Sequence, residues 1–358
     1  MPRVYNPYRS REKSSKDMFA PQEDRMPRQR QFLAFVAVLL FVVPLLNCGS
    51  GHSADELYVL VSTNIQVPYW KAAGAGLSQA ASQLKVRYEF VGPDDYDPKA
   101  EKEAFDKALT KKPTGILISA GDAKSLTENI DKAIASGIPV ITIDSDAPDS
   151  KRLFFIGTNN YQAGLTGGER LAAELKGKGN VVVFTMPAQT NMAERLRGYR
   201  SALESHPQIK IARVVDIAGD PRIVFDTTTE ILGKERDKVD AFVCLEAQGG
   251  KEVANVLSSN KVTGKIVIAM DTDPDTLEWI RKGVIAATIS QKPYTMTYFG
   301  LRVLDDLYHN KLPSLTGDFS KDSFAPVPAF VDTGSSLVDK SNVENFIQMK
   351  QAATGGQK

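Results

Sequence analysis

The chain has 358 residues, 42% hydrophobic and 24% charged, which is enough for two ordinary domains and too apolar for a disordered chain. A formal net charge of +1 gives no long-range field for nucleic acid or an anionic surface, and part of the basic charge falls in the first 30 residues, so no nucleic-acid partner is expected. The two cysteines, Cys48 and Cys244, and the three histidines, His52, His206 and His309, are scattered. They offer no disulfide framework and no metal-ligand spacing, and neither a metal nor a cofactor is expected.

Residues 1–31 form a charged N-terminal extension and head, with Arg25, Arg28 and Arg30 close before the apolar run FLAFVAVLLFVVPLL at 32–46. This is the layout of a signal peptide, assigned to 32–47. Fifteen helical residues reach only about 22 Å, short of the roughly 30 Å hydrocarbon core, and Pro44 opposes an unbroken span. Residues 1–24 have no apolar periodicity, so translation is expected to start at Met26. The stretch LLNC at 45–48 resembles a bacterial lipobox, which implies a diacylglycerol on the Cys48 thiol and a membrane anchor. A linker is expected over 48–56.

Beyond it, short apolar runs alternate with amphipathic stretches of about eight to seventeen residues, the rhythm of βαβ units. Strands are expected at 57–62, 86–91, 115–119, 140–144, 181–186, 211–217, 241–245, 266–270 and 286–289. Helices are expected at 69–84, 99–110, 125–136, 162–175, 193–205, 222–232, 251–258, 275–282 and 294–307. Several strands are apolar almost throughout, as strands covered on both faces must be. The fold class is therefore α/β, and two doubly wound parallel-sheet lobes fit the length better than one nine-stranded sheet. The turn-formers of FFIGTNNY, 154–161, mark the first crossing between lobes. No internal repeat is visible. Glycines 164, 167 and 168 lack the context of a phosphate loop and read as close helix packing, and Cys244, inside an apolar strand, reads as core.

Ligands of open α/β sheets bind beyond the carboxyl ends of the strands. The polar residues there are Asp144 and Ser145 after VITI, Glu246 after AFVCL, Asp271 after IVIAM and Gln291 after ATIS, with the aromatic pair Tyr69 and Trp70 after the first strand. Each alone is as readily a helix cap or turn former. Together they suit a sugar, whose C–H faces lie on aromatic rings and whose hydroxyls pair with carboxylates, amides and guanidinium groups.

The segments VSTNIQVPYW, GIPVITIDSDAP, IGTNNYQAG, AERLRGYRSAL, IVIAMDTDPDTLEWIRKG and VIAATISQKPYTMTYFG, in this order over 57–346, resemble the ribose-binding family of periplasmic solute-binding proteins. That family is also related to the ligand domains of lactose-repressor-type regulators. The resemblance implies two lobes joined by a three-segment hinge, the first from 54–158 and 292–321, the second from 159–291 and 322–348, with a disordered tail at 349–358. It implies sugar-stacking positions at Tyr69 and Trp70, a first-lobe carboxylate at Asp144, an arginine at Arg197, a strand-end aspartate at Asp271 and a hinge glutamine at Gln291. The ribose pattern has an arginine where Ser145 stands, asparagines where Val67 and Glu246 stand, and an aromatic residue near Asp220, so ribose itself is not implied. The expected function is non-catalytic: an exported, lipid-anchored, monomeric binding protein for a sugar or polyol, delivering it to an ABC-type permease by hinge closure. The alternative is a sensory receptor for a sugar or amino sugar acting on a membrane kinase or chemoreceptor. A repressor would need a helix-turn-helix before residue 57, and a glycosidase would use Asp144 and Asp271 as acid and base.

Overall fold

A computed structural model describes residues 51–311, 318–319, 321–322 and 324–355. The expected extension, signal peptide and lipidated Cys48 lie outside these residues. Among the described residues no helix is long and apolar enough to cross a membrane.

The first lobe is built on β1 (Leu57–Val61), β2 (Arg87–Val91), β3 (Gly115–Ile118), β4 (Val140–Ile143) and β5 (Phe155–Gly157), interleaved with α1 (Pro68–Leu84), α2 (Pro98–Thr110) and α3 (Ala123–Ala135). The second continues with α4 (Asn160–Glu174), β6 (Lys178–Thr185), α5 (Thr190–Leu203), β7 (Gln208–Asp216), α6 (Pro221–Lys234), β8 (Ala241–Cys244), α7 (Gly249–Ser259), β9 (Ile266–Met270), α8 (Pro274–Arg281) and β10 (Ala287–Ser290). The chain then returns through α9 (Pro293–His309) and β11 (Phe330–Asp332) before β12 (Ser336–Asp339) and α10 (Val343–Gly355). Five of these helices open on proline, whose fixed φ and missing N–H suit the first helical turn. Asp97, Asp122, Asn159 and Asp220 cap helices by accepting backbone N–H bonds.

The two six-stranded sheets have the orders β11-β5-β4-β3-β1-β2 and β12-β10-β9-β8-β6-β7, so each lobe repeats one doubly wound arrangement. All pairings are parallel except β10 with β12. The central strands β1, β3, β4 and β8 are wholly buried between helices, whereas the edge strands β2 and β7 carry exposed residues. Each sheet has its own apolar core, with Cys244 buried in the second.

Two expected boundaries are corrected. Residues 330–332 pair with β5 in the first sheet, so the third crossing falls between β11 and β12, at 333–335, rather than at 321. The tail from 349 continues α10 as helix to Gly355. The first two passages of the chain between the sheets follow β5 and β10.

Helices α4 and α5 approach closely because neither face carries bulk at the contact. A Cβ on Gly164 would lie 2.1 Å from the Arg195 carbonyl oxygen, and one on Gly198 would lie 2.2 Å from that of Tyr161. Both neighbours are backbone and cannot rotate away. Gly164→Ala is therefore expected to destabilise the protein by about 1–3 kcal/mol through overpacking. Gly233→Ala, with open space around its Cβ, should be neutral or stabilising by up to about 1 kcal/mol. Denaturant unfolding of the two variants checks both signs.

Candidate functional site

A cleft lies between the lobes, lined by residues of both. Its walls come from the carboxyl ends of strands in both sheets: Thr63 and Asn64 follow β1, Asp144 follows β4, Met186 and Gln189 follow β6, Glu246 follows β8, Asp271 follows β9, and Gln291 follows β10. Sheets wound in this order open a crevice at those ends, and here two such crevices face each other.

The two strand-end aspartates occupy matching places in the two lobes. Asp144 has φ +58° and Asp271 has φ +65°, a left-handed conformation that aspartate tolerates better than most residues. Asp144 accepts hydrogen bonds from the Tyr69 hydroxyl at 2.7 Å, Ser119 Oγ at 3.0 Å and, from the facing lobe, Asn191 Nδ2 at 3.4 Å. Burial pushes its carboxyl above the usual range, with Arg195 and these donors opposing the shift. Burial also pushes Asp271 up, to about 7, against the pull of Arg195 and of Gln291 Nε2, which donates at 3.0 Å.

Arg195 lies at the centre. Its guanidinium is buried and donates from Nε to Asn160 Oδ1 at 2.8 Å, from Nη1 to the Leu245 carbonyl at 2.7 Å and from Nη2 to Gln291 Oε1 at 2.9 Å. Gln291 Oε1 also accepts from Thr158 Oγ1 at 2.9 Å, so one amide joins the first two crossings to the arginine and to Asp271.

Of the residues expected at the site, Tyr69, Trp70, Asp144, Glu246, Asp271 and Gln291 line this cleft. Arg197 does not. It points to the far side of α5, half exposed, paired with Glu194 at 2.6 Å and stacked 4.0 Å from the centre of the Tyr161 ring. Ser145 is also absent from the lining; it is buried at the contact between lobes, its Oγ 3.4 Å from Thr190 Oγ1. Glu246 acts first as a helix cap, its two oxygens accepting the Gln248 and Gly249 N–H groups at 2.6 and 2.5 Å. Tyr69 is tied to Asp144, which leaves Trp70, packed edge-on against it at 5.2 Å, as the freer aromatic wall.

The sequence reading missed Arg195, Asn191, Asn64 and Tyr96. For Arg195 the signal was present: the buried face of α5 runs through Asn191, Met192, Arg195, Gly198, Tyr199 and Leu203, a helical period that includes Arg195 and leaves Arg197 opposite. Tyr96 is found only in three dimensions. It reaches across from the first lobe to Gly219, near whose φ of +79° a Cβ would meet the Tyr96 ring at about 2.5 Å.

Two α/β lobes joined by three crossings, with an enclosed polar cleft between them, define a hinged solute-binding protein. The chain matches the model of the periplasmic binding protein domain over residues 58–312 and belongs to that family, whose relatives here bind sugars and are not enzymes. It is 23% identical over 276 residues to the D-allose-binding periplasmic protein of Escherichia coli (strain K12), covering 74% of this chain and 88% of that one. Among solved structures it is similar to the arabinose-binding protein of Geobacillus stearothermophilus, with 36% identity, a TM-score of 0.68 and coverage of 82% of this chain and 99% of that one. It is also similar to an ABC-transporter solute-binding protein of Burkholderia graminis in complex with D-arabinose, with 27% identity, a TM-score of 0.73 and coverage of 81% and 98%.

The raised Asp271 carboxyl has a measurable consequence. An unfolded aspartate loses its proton near pH 4, whereas the folded one keeps it to about 7, so between these values the native state binds more protons. This side chain's contribution to stability therefore falls as pH rises from about 4 to 7. Relative to Asp271→Asn, wild type should lose unfolding free energy across that window and show no further change above it. Denaturant midpoints of both proteins from pH 4 to 8 check the sign.

Proposed function

We propose that this chain is an exported, lipid-anchored receptor that closes its lobes around a neutral monosaccharide and delivers it to the permease of an ABC transporter. The observation that carries the reading is the buried Arg195 flanked by Asp144 and Asp271 at corresponding strand ends, with Trp70 as an apolar wall. A cleft lined by carboxyl, amide and guanidinium groups offers both donors and acceptors to a sugar's hydroxyls, which themselves donate and accept. The sugars named for its relatives, allose and arabinose, have this character.

A neutral ligand is favoured over an amino sugar by the state of the carboxyls. Taken as fully ionised, Asp144, Asp271 and Glu246 outnumber Arg195. Yet burial holds all three above the ordinary range, and Glu246 is satisfied by two N–H groups at the start of α7, where the helix dipole offsets its charge. Arg195 and these N–H groups oppose the negative charge without a cation from the ligand. The mouth closes through Thr190, whose Oγ1 exchanges hydrogen bonds with the Asp146 N–H at 3.0 Å and carbonyl at 2.8 Å, and through Tyr96 against Gly219. These contacts exist only when the lobes meet, so a ligand that bridges the lobes shifts the hinge toward the closed form. The closed form is the one offered to the permease, and the acyl chains on Cys48 keep it at the membrane surface.

A thermal-shift screen of D-arabinose, D-ribose, D-allose and their amino counterparts, followed by calorimetry on the best ligand, tests the reading. At about 100 times its dissociation constant the right sugar adds about 2.7 kcal/mol of stability. Trp70→Ala should weaken its binding by about 1–3 kcal/mol with the fold intact. No stabilisation by any neutral sugar, or an amino sugar binding more tightly than its hydroxyl counterpart, would contradict the proposal.

A further inference from the structure

Far from the sugar cleft, the fold gathers two of the three histidines with two carboxylates. His52 precedes β1 on the segment entering the first lobe, and His309 and Asp305 occupy the last turn of α9. His52 Nε2 stands 3.0 Å from Asp305 Oδ2, and His309 Nε2 is 3.7 Å from Asp305 Oδ1 and 3.2 Å from Glu56 Oε2. One donor atom each from His52, Asp305 and His309 lies within 4.8 Å of the other two. Asp305 and Glu56 are buried, and the two imidazoles meet edge to face at 4.9 Å.

We infer that His52, Asp305 and His309 form a binding site for a first-row divalent cation of the zinc class, pinning the N-terminal segment to the end of α9. Donors about 2.0–2.2 Å from a tetrahedral zinc are separated from one another by roughly 3.2–3.6 Å. The contacts of 3.0 and 3.7 Å are made to the two oxygens of Asp305, and one donor atom of each residue lies within 4.8 Å of the others, so an ion would draw the three side chains together. Two neutral imidazoles and one carboxylate are a ligand set that zinc accepts, with a fourth position left for water. Imidazole selects zinc-like ions over magnesium and calcium, which take oxygen ligands. His52 Nδ1 is buried without a protein partner, and the ring's polar contact is made through Nε2 to Asp305.

The cation would join parts of the chain some 253 residues apart and fix the segment just after Cys48 against the first lobe. Nothing in this inference depends on the identity of the sugar. The test is calorimetric titration of the purified chain, stripped with chelator, with Zn²⁺ at pH 7.5, with Mg²⁺ as a control, on wild type, His52→Gln and His309→Gln. Glutamine keeps a polar group of similar reach and is a poor zinc ligand. One Zn²⁺ per chain is expected, with no Mg²⁺ binding and a rise in melting temperature. Each variant should raise the dissociation constant by at least the roughly 10–100-fold seen when even an outer supporting partner is lost. Affinity for the best stabilising sugar should be the same in all three proteins, which separates failure here from failure of the sugar reading. Absence of saturable Zn²⁺ binding, or either variant binding Zn²⁺ as tightly as wild type, overturns the assignment.

Discussion

A guanidinium cannot shed its charge, so burying Arg195 obliges the surrounding structure to solvate it. The side chain of Asn160, the Leu245 carbonyl and Gln291 do so directly, and Asp144 and Asp271 supply the opposing field. These groups come from the first crossing, the end of β8, the second crossing and both strand-end aspartates. Fixing one charge therefore fixes the hinge and both walls of the cleft. The glycines of α4 and α5 serve the same end, because Gly164 lets the backbone of Arg195 come close enough to place its head under the hinge.

The same network underlies the proposed fit of the cleft to uncharged, hydroxyl-rich molecules. Its donors and acceptors are already mostly paired with each other, Tyr69 with Asp144 and Gln291 with Asp271, and are held in fixed orientation rather than left free. A sugar inserts into an oriented set of groups whose ordering cost was met on folding. Contacts between the lobes at Thr190, Asn191 and Gly219 lie beside those groups, so binding and closure share one surface.

Much of this was legible in the sequence. The alternation of apolar runs and amphipathic stretches located nine strands and nine helices, because buried parallel strands are apolar throughout and prolines mark helix starts. The strands that escaped were β5, β11 and β12, of three or four residues, whose pairing comes from partners distant in the chain or from a segment dominated by turn-formers. That is also why the third crossing was placed too early. Strand-end position is also what brings Asp144, Asp271, Glu246 and Gln291 to the cleft. The resemblance implies Arg197, whereas the helical period of α5 turns Arg195, two residues earlier, toward the cleft. Ser145 followed a strand as expected but faces Thr190, since its neighbour Asp144 turns into the cleft through a left-handed backbone. The pairing of His52 with His309 had no local signal at all, being made by the packing of α9 beside β1.

Arg195 organises the cleft, whereas Arg197 is a surface residue. Calorimetric titration of the stabilising sugar into Arg195→Gln and Arg197→Gln separates the two roles, with Arg195→Lys held ready if the first variant folds poorly. Loss of the guanidinium at 195 should weaken binding by at least about 2 kcal/mol, as for other truncated buried charge partners. Substitution at 197 should leave affinity within about 0.5 kcal/mol of wild type, as for other surface changes. Sugar affinity that survives at 195 and collapses at 197 would contradict this division of roles.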